Sequence, residues 1–197
     1  NVNLLNSISS NSFKVMFAGN IGEAQDFPSI LKAAELLKDN KNINWIILGG
    51  GRKKEWVESQ IKENNLEKCF HMLGSFPLEK MPDFYANADA MLFSLKDEYI
   101  FSITVLAKVQ TYLACGKPVL AMVNGEGGKV VIDANAGLSC EAQSPKELAD
   151  NILKMKNMSA SEITEMGVNA RKYYDDNFER SNLFDKVERI FNGLLCS

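Results

Sequence analysis

The sequence predicts an α/β fold, a Rossmann-like, doubly wound parallel sheet of about six strands. Short apolar runs alternate with helix-like stretches at spacings of about 20 to 30 residues, the pattern of βαβ units joined by right-handed crossovers. Glycine clusters close several of those runs, where a strand would hand over to a helix. With 197 residues, 46% apolar and 24% charged, the chain has the length and balance of one water-exposed globular domain.

Each element follows from its pattern. Residues 14–18 read as a buried strand closed by Gly19. Asp26 or Ser29 would cap a helix over residues 28–38, with Ile30, Leu31, Ala34 and Leu37 on one face. Ile43–Leu48 is a second strand ending in Gly49-Gly50-Gly51. Residues 52–64 form a polar helix with Trp56, Val57 and Ile61 turned inward. Residues 69–73 are a third strand, ending at Gly74, and Met81–Ala86 a short helix. Residues 88–93 are a fourth strand, and 101–114 carry Val105, Leu106, Val109, Tyr112 and Leu113 at helical spacing. Residues 118–123 are a fifth strand, 129–134 the helix after a second glycine cluster, and Gly137–Cys140 a short sixth strand. Ser144-Pro145 opens a helix with proline in its first turn. Two more start near Ser161 and Arg180, the last with Leu183, Phe184, Val187, Ile190, Phe191 and Leu194 on one stripe.

Composition excludes several classes. The net charge of −3 disfavours a general nucleic-acid binder, which would carry a basic face. The cysteines, Cys69, Cys115, Cys140 and Cys196, form no C-x-x-C and read as buried reduced thiols. The one histidine, His71, sits in a strand-like run, a poor start for a metal site or a Ser-His-Asp triad. No run approaches the ~18 apolar residues that span a bilayer, and no signal peptide is visible, so the expected location is cytoplasmic. The opening Asn1-Val2-Asn3-Leu4-Leu5 lacks an initiator Met. Residues 1–12 therefore read as a linker remnant and 13–197 as the domain.

Two glycine loops carry the chemistry. Gly19-Asn20-Ile21-Gly22 follows the first strand, and Asn124-Gly125-Glu126-Gly127-Gly128 follows the fifth. Glycine lets the backbone approach a ligand. The N–H groups and positive dipole end of the next helix favour phosphate. Two such loops at one edge of a doubly wound sheet point to a nucleotide diphosphate site in the crevice at the strand C-termini.

The order of the pieces resembles the C-terminal, donor-binding domain of a GT-B glycosyltransferase of the family 4 type. The motifs are Phe17-Ala18-Gly19-Asn20-Ile21-Gly22, Leu48-Gly49-Gly50-Gly51, Met72-Leu73-Gly74-Ser75-Phe76 and Tyr85-Ala86-Asn87-Ala88-Asp89-Ala90. Tyr112-Leu113-Ala114-Cys115-Gly116-Lys117-Pro118-Val119, Asn124-Gly125-Glu126-Gly127-Gly128, Ala136-Gly137-Leu138 and the closing Asn177-Phe178-Glu179-Arg180 follow in order. The Gly-Asn-Ile-Gly and Asn-Gly-Glu-Gly forms look most like amino-sugar transferases of bacterial surface polysaccharide assembly, N-acetyl-L-fucosamine transferases included.

The resemblance implies a nucleotide-sugar donor, UDP-linked, and retention of anomeric configuration. It implies no cofactor and no metal, since no D-x-D motif occurs. The sugar or lipid-linked acceptor would come through an N-terminal domain, and the full-length protein could lie peripherally at the inner face of the membrane. Gly19, Asn20, Ile21 and Gly22 would offer N–H groups to the diphosphate, although Asn20 and Gln25 stand where relatives often carry Arg and Lys. Arg52 and Lys53 would neutralise phosphate or simply open a solvated helix. Gly74 and Ser75 would read the base edge, and Phe76 would stack on the base or pack beneath the loop. Gly125, Glu126, Gly127 and Gly128 would cradle diphosphate and sugar, and Lys108 would add positive charge.

The departure is the E-x7-E pair of many relatives. Thr111 stands at the ribose position and Ile103 near the other, with Asp97 and Glu98 just upstream to take the sugar-facing role. The missing carboxylates keep a non-catalytic nucleotide-binding or scaffold domain open, and a sugar-nucleotide epimerase of the same fold is a further alternative. An NAD-type oxidoreductase fits poorly, because Gly19-x-x-Gly22 is not G-x-G-x-x-G.

Overall fold

The computed structural model describes residue 8 and residues 11–195. Six strands form one parallel sheet in the order β3-β2-β1-β4-β5-β6. They are β1 (Phe13–Ala18), β2 (Ile43–Leu48), β3 (Phe70–Gly74), β4 (Ala90–Ser94), β5 (Val119–Met122) and β6 (Gly137–Cys140). On one face, α1 (Phe27–Leu36) and α2 (Lys54–Glu63) pack with α7 (Pro145–Lys156). On the other lie α3 (Met81–Ala86), α5 (Ala107–Ala114), α6 (Glu126–Asp133) and α8 (Ala160–Asn177). α4 (Tyr99–Ser102) is a single turn, and α9 (Arg180–Leu195) follows α8. The predicted doubly wound sheet is therefore present, with six strands as expected.

Alternation explains both cores. In β1, Val15 and Phe17 enter the face of α1 while Met16 and Ala18 enter the face of α5. Strands covered on both faces read as continuous apolar runs, and β2 is buried along its whole length. Ile8, inside the stretch read as a linker, is buried in the α5 face. His71 bonds Asn44 Oδ1 at 2.8 Å. It is a partly buried sheet residue, and burial lowers its pKa.

The structure corrects five expectations. Trp56, expected to turn inward with Val57 and Ile61, lies exposed off the buried face of α2. The helix over 101–114 is broken: α4 stops at Ser102 and α5 starts at Ala107. Ile103, Thr104 and Val105 are three β-branched residues in a row, which lose rotamer freedom in a helix. α6 begins at Glu126 rather than 129, so Gly127 and Gly128 lie inside it. They are buried because the helix presses on the sheet: a Cβ on Gly127 would lie 2.9 Å from the Phe93 ring, and one on Gly128 2.6 Å from Ser139 Oγ. At α1, neither Asp26 nor Ser29 caps with its side chain; Asp26 holds the N-cap position at φ +48°. Of the cysteines, Cys140 is buried, Cys69 half-buried and Cys115 exposed, because Cys115 ends α5 at the surface. Cys196 lies outside the described residues.

The sheet is weakest at its centre. β1 pairs with β2 over six residues but with β4 only at Val15↔Ala90 and Met16↔Met91. Above Met91 the strands part, and the phenol of Tyr112 enters the gap. Its oxygen accepts from Ala18 N–H at 3.0 Å and donates to Ala18 C=O at 3.1 Å. One side chain thus satisfies both polar groups that a neighbouring strand would have served. Burial raises the Tyr112 pKa, so the phenol stays protonated and able to donate. Replacing Tyr112 by Phe strands a buried donor and acceptor, at a cost of about 2 kcal/mol. Thermal unfolding should show the midpoint falling by roughly 4–8 °C, and an unchanged midpoint would remove Tyr112 from this role.

Candidate functional site

The parting of β1 and β4 is the topological switch point, the place where an open α/β sheet offers a crevice. Loops after β1, β2 and β3 meet there with α3. They enclose a cavity of about 360 Å³ lined by Gly19, Asn20, Gly50, Ser75, Phe76, Met81 and Tyr85. The floor is nearly all backbone because Gly49 touches the β1 loop. At φ +131° a Cβ there would lie 1.9 Å from Gly19 O, so no other residue fits.

The β1 loop behaves differently from its sequence reading. Gly19 N–H donates to Leu48 O at 2.9 Å, Ile21 N–H to Gly50 O at 2.8 Å and Gly22 N–H to Gln25 Oε1 at 3.1 Å. Three of the four N–H groups expected to face a diphosphate are therefore occupied: two because the loop continues the β1–β2 ladder, the third by the loop's own Gln25. The Asn20 N–H has no partner among the described residues, nor do those of Gly50 and Ser75.

Lys108 supplies charge beside that loop. Its Nζ sits 3.9 Å from the centre of the Phe17 ring, and a Cβ on Gly19 would lie 2.8 Å from it. No carboxylate or carbonyl bonds it among the described residues. Burial lowers its pKa to about 8. The pair with Phe17 is a cation–π contact, which holds the ammonium without neutralising it.

The remaining expected residues lie at three places along the same edge. Arg52 and Lys53 line a second cavity on the far side of Asn20, with Gly22, Glu23 and Gln25. There Glu23 bonds Lys53 Nζ at 2.7 Å and also Lys96, and the two lysines lower its pKa to about 2. Gly125 and Gly128 line a third depression, with Asn124, Lys129, Ser139 and Glu147. At φ +81°, a Cβ on Gly125 would lie 1.9 Å from Ser102 O, so α4 and the start of α6 are in contact. Asn124 braces this loop, donating to Asp97 Oδ1 at 2.9 Å and accepting from Ala142 N–H at 3.1 Å.

Among the described residues the N–H groups of Glu126, Gly127 and Gly128 have no partner, as expected of a first helical turn. Buried glycines thus still offer backbone donors. Glu126 is exposed at the start of α6, and Glu98 is exposed at the N-cap of α4. Thr111 is exposed with its hydroxyl turned back to Ala107 O at 3.0 Å. Gly74 closes β3 and accepts from Gly49 N–H at 2.8 Å. Phe76 does both things the sequence left open: it lines the cavity and packs on Phe84, ring centres 4.4 Å apart.

Sequence reading missed Met81, Tyr85 and Tyr112. The signal for the first two was their i,i+4 spacing on the short helix after Gly74-Ser75-Phe76, which puts both on one face. Tyr112 was placed only as a core position.

Residues 6–173 match the family model described as glycosyl transferases group 1. The chain is similar to an uncharacterized glycosyltransferase of Methanocaldococcus jannaschii, MJ1069, at 26% identity over 188 residues, covering 94% of this chain and 46% of that protein. It is similar to the probable glycosyltransferase WbjE of Pseudomonas aeruginosa at 27% identity over 135 residues, covering 68% and 33%. The chain thus spans less than half the length of these curated relatives. Among solved structures it resembles Anabaena Alr3699/HepE in complex with UDP and glucose, with a TM-score of 0.79 and 17% identity over 97% of this chain and 51% of that one. It also resembles the C-terminal domain of LpcC, a glycosyl transferase group 1 family protein from Francisella tularensis, with a TM-score of 0.67 and 17% identity over 85% and 87%. These structures share the GT-B type of Rossmann-like fold with this chain. Since the family model covers most of the sequence, the chain belongs to the glycosyl transferases group 1 family.

Proposed function

We propose that this chain is the donor-binding half of a retaining glycosyltransferase that takes a UDP-linked sugar, in bacterial surface polysaccharide synthesis. The observation that carries the reading is Lys108: an ammonium with no counter-charge among the described residues, held against the β1 loop beside the crevice. The UDP bound in HepE, on the same fold, supports the choice of nucleotide.

In this reading the base and ribose occupy the cavity of Gly50, Ser75, Phe76 and Tyr85. The hydroxyls of Ser75 and Tyr85 stand near the ribose, in place of the missing carboxylate at Thr111. Lys108, the Asn20 N–H and the first turn of α6 hold the diphosphate. When the bond from the anomeric carbon to the β-phosphate oxygen breaks, that oxygen gains negative charge. A fixed ammonium and fixed N–H dipoles stabilise it without reorganising. Glu126 and Glu98 face the sugar. A sugar or lipid-linked acceptor arrives from the other half of the protein.

Calorimetric titration with UDP, and with ADP, GDP and NAD beside it, tests the reading. UDP should bind selectively, with a dissociation constant on the order of 10 µM to 1 mM. Preference for NAD, or no nucleotide binding by the full-length protein, overturns it. Selective UDP binding with no transfer by the full-length protein would instead favour the non-catalytic domain that the absent E-x7-E pair allows.

Lys108→Met should weaken UDP roughly 10- to 100-fold, the worth of a charge-assisted hydrogen bond. In the wild type, UDP affinity should fall as pH rises through about 8, where the unliganded ammonium loses its proton. The variant should show no such decline. The folded-state pKa lies below the unfolded one, so the native state sheds the proton first and stability rises from about pH 8 towards the ordinary lysine value. The same variant should therefore unfold at a slightly higher temperature than wild type at pH 7. A lysine with a merely structural role would lose stability and leave the pH profile of UDP binding intact.

A further inference from the structure

The β1 loop has two sides, and the donor reading uses one. On the other, Asn20, Gly22, Glu23, Gln25, Arg52 and Lys53 bound a cavity of about 440 Å³. Its wall is cationic. The Arg52 guanidinium is exposed and has no partner among the described residues. Lys53 and Lys96, from the loops after β2 and β4, converge on the Glu23 carboxylate. Lys96 also faces Asp26 and Glu98, so the charges that line the cavity itself are Arg52 and Lys53 against Glu23. The two lysines keep Glu23 ionised at any ordinary pH, and the lining then carries two cations against one carboxylate.

Asn20 separates the two cavities and lines both. Its amide is folded into a slot between glycines: a Cβ on Gly22 would lie 2.5 Å from Asn20 Nδ2, and one on Gly51 2.5 Å from Asn20 Oδ1. An anion beside Arg52 and Lys53 would therefore lie across a side-chain partition from a nucleotide in the crevice.

We propose that this second cavity is an oxyanion site for the diphosphate group of a ligand other than the donor nucleotide. Arg52 meets it with its planar fork, which suits phosphate oxygens, and Lys53 meets it as a point charge. In the empty state Glu23 holds Lys53 and Lys96 in place, where phosphate oxygens would otherwise sit. A ligand must displace that carboxylate, so Glu23 sets a threshold that weak anions do not pass. The proposal rests on the donor reading only in assigning the other side of Asn20 to the nucleotide.

Tryptophan fluorescence reads this site. Trp56 is 38% exposed with Lys53 Nζ 5.8 Å from its ring centre, whereas Trp45 is 1% exposed in the core. Inorganic pyrophosphate, titrated in the presence of saturating UDP, should change the Trp56 emission saturably. Arg52→Ala should weaken that binding about tenfold, the loss of one charge-assisted contact. Glu23→Gln should tighten it, because the internal competitor is gone. Geranyl diphosphate in a parallel titration separates the sources: tighter binding than pyrophosphate assigns the site to a lipid-linked diphosphate, and equal binding to the free anion. The proposal is overturned if UDP competes with pyrophosphate, if Arg52→Ala binds it as well as wild type, or if neither emission nor calorimetric heat changes. Pyrophosphate binding in a protein that ignores UDP would sink the donor reading and leave the second site standing.

Discussion

Two hydrogen bonds between Tyr112 and Ala18 hold the molecule's central seam in its open form. A parallel sheet cannot leave a buried strand residue unpaired without cost, yet a crevice at the switch point requires β1 and β4 to separate. The phenol resolves the conflict by acting as a surrogate strand edge one residue long. Lys108, one helical turn before Tyr112 on α5, then reaches the β1 loop from the same helix. Structural support and site charge are therefore positioned by one element, and its start at Ala107 is set by the β-branched break before it.

The rest of the site is made mostly of backbone. Gly49 and Gly125 bring chain against chain at distances that exclude a Cβ, and the β1 loop spends two of its four N–H groups on the β2 side and a third on its own Gln25 side chain. What the loop loses as a phosphate donor it gains in rigidity. The free donors are pushed to its flanks, at Asn20, Gly50 and Ser75, and to the first turn of α6. Gly127 and Gly128 contribute by being small on the sheet side, which lets α6 sit low.

Much of this was legible in the sequence. Alternating apolar runs and glycine clusters gave all six strands, because strands buried on both faces leave an unmistakable continuous pattern. Gly19, Asn20, Ser75 and Phe76 could be assigned to one edge because their loops follow strand C-termini, and Ser75 and Phe76 to the ligand through the family resemblance. Hydrogen-bond bookkeeping could not be read, since Ile21 N–H meets Gly50 O through tertiary contact between loops about thirty residues apart. The separation of Arg52 and Lys53 from the crevice was equally hidden, because it depends on which side of Asn20 the α2 N-terminus falls. Tyr112 carried no signal: a tyrosine at a helical core position looks the same whether its hydroxyl is buried in a gap or points to water.

The two-residue pairing of β1 with β4 has a consequence for how the chain acquires its shape. β1 to β3 are consecutive in sequence and adjacent in space, as are β4 to β6. Each half-sheet closes through short crossovers, whereas the seam joins residues as distant as Lys14 and Asp89, 75 positions apart. Loop-closure entropy therefore favours two half-sheets assembling first and docking afterwards. The crevice lies on the docking line, so a half-assembled chain owns neither the phenol bridge nor the ammonium beside it. Ligand recognition is in this sense a report that folding has finished.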